Sequence, residues 1–129
     1  MDPISNMIIM LKNASRAGRP SITIPYSKLK HSIADRLSAA GYVSTVAKKA
    51  KKSQSLLELG IVYNDAGVAK INDVKRLSKP SRRIYMSVKE IRPVRNGHGS
   101  LFLSTPKGIL TDKEARKELV GGEALFLIW

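Results

Sequence analysis

Apolar residues in the first third of the chain recur at three- and four-residue spacing, which is typical of helices that bury one face. Residues 3–14 carry one apolar stripe, and the residues after Ser27 carry a second. Asp2 followed by Pro3 is a typical helix start, and Gly41 is a typical helix end. The pattern predicts two amphipathic helices joined by the short strand "SITIP". The second stripe consists of Leu29, Ile33, Leu37 and Ala40.

Strand-like alternation replaces helical spacing after Gly41. "YVSTVA" and "SLLELGIVY" both resemble strands, and "KKAKKSQ" between them is polar enough to predict a solvated loop or hairpin tip. The first part of the chain therefore has the predicted order αβαββ. "NDAG" is rich in turn-forming residues, so it predicts a boundary between a lobe of residues 1–66 and a lobe of residues 67–129.

The second lobe is predicted to be mostly antiparallel β with one helix, which makes the whole chain α+β. Strands are predicted near residues 71–77, at "IYMSV", at "SLFLS" and at "EALFLIW". Thr111 with Glu114 forms a capping-box pattern, so a helix should start there and end at Gly121-Gly122. "EALFLIW" is apolar on both faces, which favours a central position in the sheet.

The charge balance indicates which kind of partner the chain binds. The chain has 129 residues with 23 Lys and Arg against 10 Asp and Glu, giving a formal net charge of +13. A compact protein with this charge is typical of nucleic-acid binding, and an anionic membrane surface is a weaker alternative. The N-terminus lacks a signal-peptide pattern, and no apolar run is long enough to cross a membrane. The expected location is the cytoplasm.

Catalytic patterns are missing from the sequence. "TPKG" has the reverse order of a P-loop ending, and His98 in "NGHG" is typical of a surface turn. His31 lies near a predicted helix start and is interpreted as solvated or packed. Cysteine is absent, and no metal-ligand spacing appears, so neither an enzyme, a cofactor nor a metal site is predicted.

Basic residues supply the predicted binding chemistry. Between residues 70 and 95 only Asp73 and Glu90 oppose the Lys and Arg residues. Tyr85 beside Arg82 and Arg83 is suited to stacking on an unpaired base while the guanidinium groups neutralise phosphates. The alternatives are a solvated basic face and a tyrosine packed into the sheet. A general phosphate attraction is also predicted for the lysines of "KKAKK", namely Lys48, Lys49, Lys51 and Lys52.

The turn "STPKG" combines hydroxyl, cationic and glycine chemistry. Hydroxyls of Ser104 and Thr105 can donate to and accept from base edges and 2′-hydroxyls in an RNA minor groove. Lys107 can reach a phosphate, and Gly108 leaves room for close backbone approach. The alternative is local, with hydroxyls that satisfy the turn and a glycine that only permits it.

The whole chain resembles the small-ribosomal-subunit protein eight family in its bacterial form. The segments that carry the resemblance are "DPISNMIIMLKNA", "IPYSKLKHSIADRL" with "GYV", "RLSKPSRRIY", "LSTPKGILTDKEARK" and "VGGEALFLIW". The resemblance implies a two-lobed α+β protein that binds a helix in the central domain of small-subunit ribosomal RNA and helps to assemble the platform. It also implies ribosomal proteins five and twelve as neighbours.

The resemblance transfers RNA contacts to individual positions of this chain. It implies contacts at Ser104, Thr105, Lys107 and Gly108, with Tyr85 and the turn formed by Gly121, Gly122 and Glu123 close by. Two positions depart from the family pattern. Pro106 replaces a usual serine and removes a hydroxyl and an amide, and Ser81 replaces a glycine, which would strain a turn that needs positive φ.

Several roles remain compatible with this sequence. Some members of the family repress translation by binding their own messenger RNA, and the same surface would serve that role. An RNA-processing enzyme is disfavoured by the missing catalytic residues, and a basic DNA binder should show no preference for irregular RNA. The sequence does not separate a bacterial from an organellar ribosome.

Overall fold

The computed structural model describes residues 2–129 and divides them into two compact units, Pro3–Asn72 and Asp73–Trp129, with Asp2 assigned to the second. This division lies later in the chain than the predicted boundary after Ala66, because the chain turns back on itself beyond Asn64. Tyr63 and Ala69 form an antiparallel bridge, and the Lys70 amide donates to the Val62 carbonyl over 3.0 Å. These contacts attach the residues after the predicted boundary to the first unit.

The first unit has the predicted αβαββ order. It consists of α1 (Pro3–Ala17), β1 (Ser21–Pro25), α2 (Lys28–Ala39), β2 (Val43–Lys51) and β3 (Gln54–Ile61). The strands form an antiparallel sheet in the order β1-β3-β2. Ser27 caps α2 as predicted, since its hydroxyl accepts from the Lys30 amide over 3.1 Å. The largest fully buried side chains include those of Met7, Ile8, Leu11, Ile33, Leu37, Leu57 and Leu59.

The lysine-rich segment and α2 differ in detail from their predictions. Of the two alternatives for the segment, the hairpin tip is confirmed and the loop is wrong, because β2 continues to Lys51, which pairs with Gln54 of β3. Its side chains are solvated, but its backbone forms the hairpin ladder. Leu29 is not in the core and is 46% exposed. The buried stripe of α2 is Ile33, Ala34 and Leu37.

The second unit is mostly antiparallel β with one helix, as predicted. It contains β4 (Val74–Arg76), β5 (Tyr85–Met86), β6 (Ser100–Thr105), β7 (Gly108–Thr111), α3 (Asp112–Glu118) and β8 (Gly122–Ile128). The sheet order is β4-β8-β6-β7, and β5 also pairs with β8. The central position predicted for the last strand is therefore confirmed. The core of this unit is formed by Ile91, Leu101, Leu103, Leu110, Ala115 and Ala124.

The helix of the second unit starts where the capping box predicted. The Thr111 hydroxyl accepts from the Glu114 amide over 3.3 Å, and the Glu114 carboxylate accepts from the Thr111 amide over 3.0 Å. The predicted end at Gly121-Gly122 is wrong, because Leu119 takes a left-handed conformation with φ 58° and terminates the helix after Glu118. Gly122 then begins β8, and Gly121 lies directly before it.

Candidate nucleic-acid interface

One end of the second sheet brings together most of the predicted site residues. Tyr85 pairs with Glu123, Glu123 pairs with Ser104, and Ser104 pairs with Ile109. Directly opposed residues of antiparallel strands project from the same face of a sheet. Tyr85, Glu123 and Ser104 therefore form a row across three strands, which we call the Tyr85–Ser104 row.

A tight turn extends this row at the end of β6 and β7. Thr105 pairs with Gly108, so Pro106 and Lys107 form the connection between the strands. Gly108 has φ +108°, a conformation that other residues rarely adopt, and a Cβ there would meet no protein atom within 4 Å. Glycine is therefore required by the backbone conformation, and the space beside it is open to a ligand.

The two hydroxyls of the turn have different partners. The Thr105 hydroxyl donates to the Gly108 carbonyl over 2.7 Å and accepts from the Lys107 amide over 3.1 Å. This is the local role that the sequence left open. The half-buried Ser104 makes no side-chain hydrogen bond within residues 2–129. Ser104 is thus the hydroxyl whose donor and acceptor positions are both available to a ligand.

Lys107 is held loosely by an acidic neighbour. Its Nζ lies 3.2 Å from Glu118 Oε2, and both side chains are about half exposed. Exposed ion pairs of this kind contribute about 0–1 kcal/mol, so a phosphate can displace the carboxylate at little cost. The pair does not prevent Lys107 from acting as a phosphate contact.

Glu123 is fixed by two donors on the segment before β5. The Ser78 hydroxyl donates to Glu123 Oε2, and Arg83 Nη1 donates to the same oxygen over 2.9 Å. Ser78 is fully buried, and its hydroxyl also accepts from the Ile84 amide over 3.1 Å. Sequence reasoning missed Ser78, since nothing in "LSKPS" separates a buried serine from a turn serine. Its role is to hold the segment that carries Tyr85 against β8.

The charge state of Glu123 follows from these contacts. Burial on its own would raise the pKa of this carboxyl, but the hydrogen bonds from Ser78 and Arg83 and the charges of Arg83 and Arg76 lower it below 4.5. Glu123 is therefore anionic at neutral pH. Its charge is offset by the guanidinium group of Arg83.

We expect Glu123 to make stability depend on pH in the acidic range. A carboxyl whose pKa is lower in the folded chain stabilises the fold above 4.5, and this contribution is lost as the pH falls through the folded value. The free energy of unfolding should therefore fall less between about pH 5 and pH 3 in Glu123→Gln than in the wild type. Urea unfolding at a series of pH values measures this. Glu118→Gln, in an exposed pair, is the control, and identical pH profiles for Glu123→Gln and wild type would contradict the assignment.

The Gly121-Gly122 pair brings three backbone segments into close contact. A Cβ on Gly121 would lie 2.3 Å from the Met86 carbonyl oxygen, and one on Gly122 would lie 2.1 Å from the Ser104 carbonyl oxygen. Both distances are shorter than any real contact, and the neighbours are backbone atoms that no rotamer change can move. The lack of side chains at the two glycines therefore allows β5 and β6 to lie close to β8.

The basic segment before β5 presents its side chains to solvent. Tyr85 is 69% exposed, so the alternative of a tyrosine packed into the sheet is wrong. Arg82 is exposed, and its backbone closes a turn with Lys79 through hydrogen bonds of 2.9 and 3.0 Å. Ser81 in this turn does not have positive φ, so replacing glycine there causes no backbone strain. Tyr85 and Arg82 are available to a ligand, whereas Arg83 is already paired with Glu123.

The lysines of the first unit form a separate basic group on the β2–β3 hairpin. Lys48 Nζ lies 4.1 Å from the centre of the Tyr26 ring, and Lys49 Nζ lies 3.0 Å from Glu58 Oε1. Lys51 and Lys52 form no ion pair within residues 2–129, and Lys52 takes the left-handed conformation that closes the hairpin. Among the hairpin lysines, these two at the tip are therefore the most available to a ligand.

The part of the chain that the structure describes gives no support for a metal site or a membrane-spanning helix. Residues 2–129 contain no group of three or more His, Cys, Asp or Glu side chains placed to hold a metal ion. Among the same residues, no helix combines the length and the apolar character needed to span a membrane. The clustered chemistry is that of hydroxyls, cations and an exposed ring.

Hydroxyl, cationic and aromatic groups gathered at one sheet end of a basic α+β protein are typical of RNA-binding proteins. The family model of ribosomal protein S8 matches residues 2–129. The chain is 45% identical to small ribosomal subunit protein uS8 of Persephonella marina, with 99% of this chain and 98% of that protein covered. It is 41% identical to the proteins of the same name from Syntrophus aciditrophicus and Mycoplasmopsis agalactiae, each with 99% of this chain and 97% of the relative covered.

The chain therefore belongs to the ribosomal protein S8 family. This confirms the resemblance found in the sequence. It also confirms the expectation of a structural protein that is not an enzyme.

Proposed function

We propose that this chain is a structural constituent of the small ribosomal subunit in the cytoplasm. In this role it binds an irregular helix in the central domain of the small-subunit ribosomal RNA. The observation that carries the proposal is the Tyr85–Ser104 row, which places an exposed ring, an unoccupied hydroxyl and the adjoining turn at one sheet end. The relatives named above, which cover nearly the whole chain, support the ribosomal setting.

The chemistry of the row suits a distorted RNA helix better than a regular one. A regular A-form helix offers mainly phosphates and 2′-hydroxyls in its shallow minor groove, whereas an irregular helix also exposes unstacked bases. Tyr85 supplies a stacking surface for such a base, and Ser104 supplies a hydroxyl for base edges or sugars. Lys107 and Arg82 then supply charge for the flanking phosphates.

The rigidity of the row supports selective binding. The backbone contacts of Gly121 and Gly122 and the Ser78–Glu123–Arg83 hydrogen bonds fix β5, β6 and β8 relative to one another. A site held in place before binding loses less conformational entropy when RNA binds. In the small subunit, the proposed role includes early binding to the central domain, assembly of the platform and proximity to ribosomal proteins five and twelve. The family resemblance supports these finer assignments.

A binding titration tests the proposed function. The chain should bind a fragment of the central-domain helix at least about tenfold more tightly than a fully paired duplex of the same length and composition. The comparison cancels the charge attraction that both RNAs share. Equal affinity for the two RNAs would contradict the proposal and leave only a general polyanion binder.

We expect the hairpin tip to contribute charge attraction without selectivity. Each phosphate contact should add about −0.7 to −0.9 to the slope of log affinity against log salt. Lys51→Gln with Lys52→Gln should make this slope less steep by about one to two units and leave the preference for the irregular helix unchanged. The control is Lys49→Gln, which removes a lysine already paired with Glu58. A near-zero slope in the wild type would contradict the electrostatic part of the account.

A further inference from the structure

A second cluster of RNA-binding chemistry lies at the other end of the second sheet. Trp129 is the only tryptophan of the chain, and the guanidinium carbon of Arg95 lies 4.1 Å from the centre of its ring. Arg95 is exposed and Trp129 is half-buried. Neither residue belongs to the Tyr85–Ser104 row. The sequence placed Arg95 only at the end of the basic stretch of residues 70–95, and Trp129 only in the last strand.

This cluster is separated from the row by the length of the central strands. Ser100 pairs with Ile128 at one end of β6 and β8, whereas Ser104 pairs with Glu123 at the other end. At about 3.3 Å per residue, the two ends lie roughly 13–17 Å apart. A ligand bound at Arg95 and Trp129 would therefore occupy a different site from RNA bound at the Tyr85–Ser104 row.

Arg95 contacts the Trp129 ring from an unfavourable backbone conformation. Arg95 has φ 47° and ψ 48°, and Asn96 has φ 57° and ψ 32°, so two successive non-glycine residues are left-handed. Such conformations persist only where the surroundings enforce them, and they concentrate at functional sites. A left-handed backbone conformation is costly for arginine. We therefore attribute the presence of arginine at position 95 to its side chain.

The surroundings that enforce this conformation are tightly packed. The His98 amide donates to the Arg95 carbonyl and the Gly99 amide donates to the Val94 carbonyl, both over 3.1 Å. Gly99 is buried, and a Cβ there would lie 2.9 Å from Val94 Cγ1 and 3.1 Å from Trp129 Cβ. The loop is thus fixed directly against Trp129.

Exposed cations lie along the segment that carries Arg95. Lys89, Arg92 and Arg95 are exposed, and Arg92 Nη1 donates to the Lys89 carbonyl over 2.6 Å. Within residues 2–129 neither Arg92 nor Arg95 forms an ion pair with a carboxylate. A ligand that meets the outer face of Arg95 therefore meets a flat cation with further positive charge beside it.

We propose that Arg95 and Trp129 form a second RNA site that takes an unpaired nucleotide. The base stacks on the outer face of the Arg95 guanidinium group, whose inner face rests on the indole ring. Bases stack on guanidinium planes as well as on aromatic rings, and an arginine oriented in advance by cation–π contact loses little freedom on binding. Arg92 neutralises the neighbouring phosphate. An acidic peptide would be attracted by charge alone and would gain nothing from the stacked geometry.

The single tryptophan makes the site directly observable. We expect a single-stranded adenosine decamer RNA to quench Trp129 emission in a saturable way. Arg95→Lys keeps the charge but loses the flat stacking surface, so its affinity for the decamer should fall by about fivefold or more. Arg16→Lys, an equally conservative change at an exposed arginine of α1, is the matched control and should bind like the wild type.

Further variants separate this site from the proposed function and from a merely structural role. Because quenching of Trp129 reports on this site and not on the Tyr85–Ser104 row, it should persist even if the helix proposal fails. Arg95→Gly relieves the backbone strain, so its melting temperature should hold or rise while decamer affinity falls. The proposal is overturned if the bound decamer leaves Trp129 emission unchanged, if Arg95→Lys and Arg16→Lys lose affinity equally, or if a glutamate decapeptide quenches the emission as strongly as the RNA.

Discussion

Replacing Gly122 by alanine is expected to destabilise the second unit by about 3 kcal/mol or more and to abolish selective RNA binding. The added Cβ would lie 2.1 Å from the Ser104 carbonyl oxygen, 2.9 Å from the Ser104 carbonyl carbon and 3.1 Å from Thr105 Cα. Overpacking typically costs about 1–3 kcal/mol, and here the neighbours are backbone atoms of the adjacent strand. The strands must separate, and the Tyr85–Ser104 row separates with them.

Urea unfolding and an RNA titration measure the two effects of Gly122→Ala. Gly18→Ala, at φ +71° with no atom within 4 Å of the added Cβ, is the control for backbone strain without a clash. It should cost only about 1 kcal/mol and keep RNA selectivity. If Gly122→Ala is as stable as Gly18→Ala or more stable, the close approach of β6 and β8 does not require glycine at position 122.

Ser104→Ala is expected to lower affinity for the irregular helix by about tenfold or more and to leave stability unchanged. The Ser104 hydroxyl has no partner among the described residues, so its loss disturbs nothing within the chain. In the complex, its absence leaves a polar group of the RNA without a partner, at a cost of about 1–3 kcal/mol. Affinity for a fully paired duplex should change little, because phosphate contacts dominate there.

Thr105→Val provides the matched comparison for this prediction. Valine retains the shape of threonine but loses the hydrogen bonds to the Gly108 carbonyl and the Lys107 amide. We therefore expect Thr105→Val to destabilise the turn and to weaken RNA binding indirectly. If Ser104→Ala weakens both RNAs equally, or neither, the hydroxyl does not read the RNA, and the row acts through charge and shape alone.

The sequence was most informative where a local pattern determines a local structure. The Ser27 cap, the Thr111–Glu114 capping box and the apolar last strand each predicted a feature that the structure contains. The strand from Gly108 to Thr111 and the extension of β2 to Lys51 were missed, because strand pairing can override the low β-propensity of lysine and glycine.

The candidate site depended on information that no local pattern holds. The sequence predicted the chemistry of Ser104, Lys107 and Tyr85, but the alignment of the row requires the register of β5, β8 and β6. The Ser78–Glu123 hydrogen bond joins residues 45 positions apart, and the Arg95–Trp129 contact joins the last residue to a distant loop. Such long-range pairs arise only when the sheet is assembled.

The most direct test of the central claim is an NMR titration of the full chain, labelled with ¹⁵N, with the fragment of the central-domain helix. The account predicts that the largest amide shifts fall on Tyr85, Ser104, Lys107, Gly108 and Glu123, with weaker, salt-sensitive shifts at Lys51 and Lys52. Largest shifts confined to the first unit, or spread evenly over all exposed lysines and arginines, would contradict the claim that the end of the second sheet recognises the RNA.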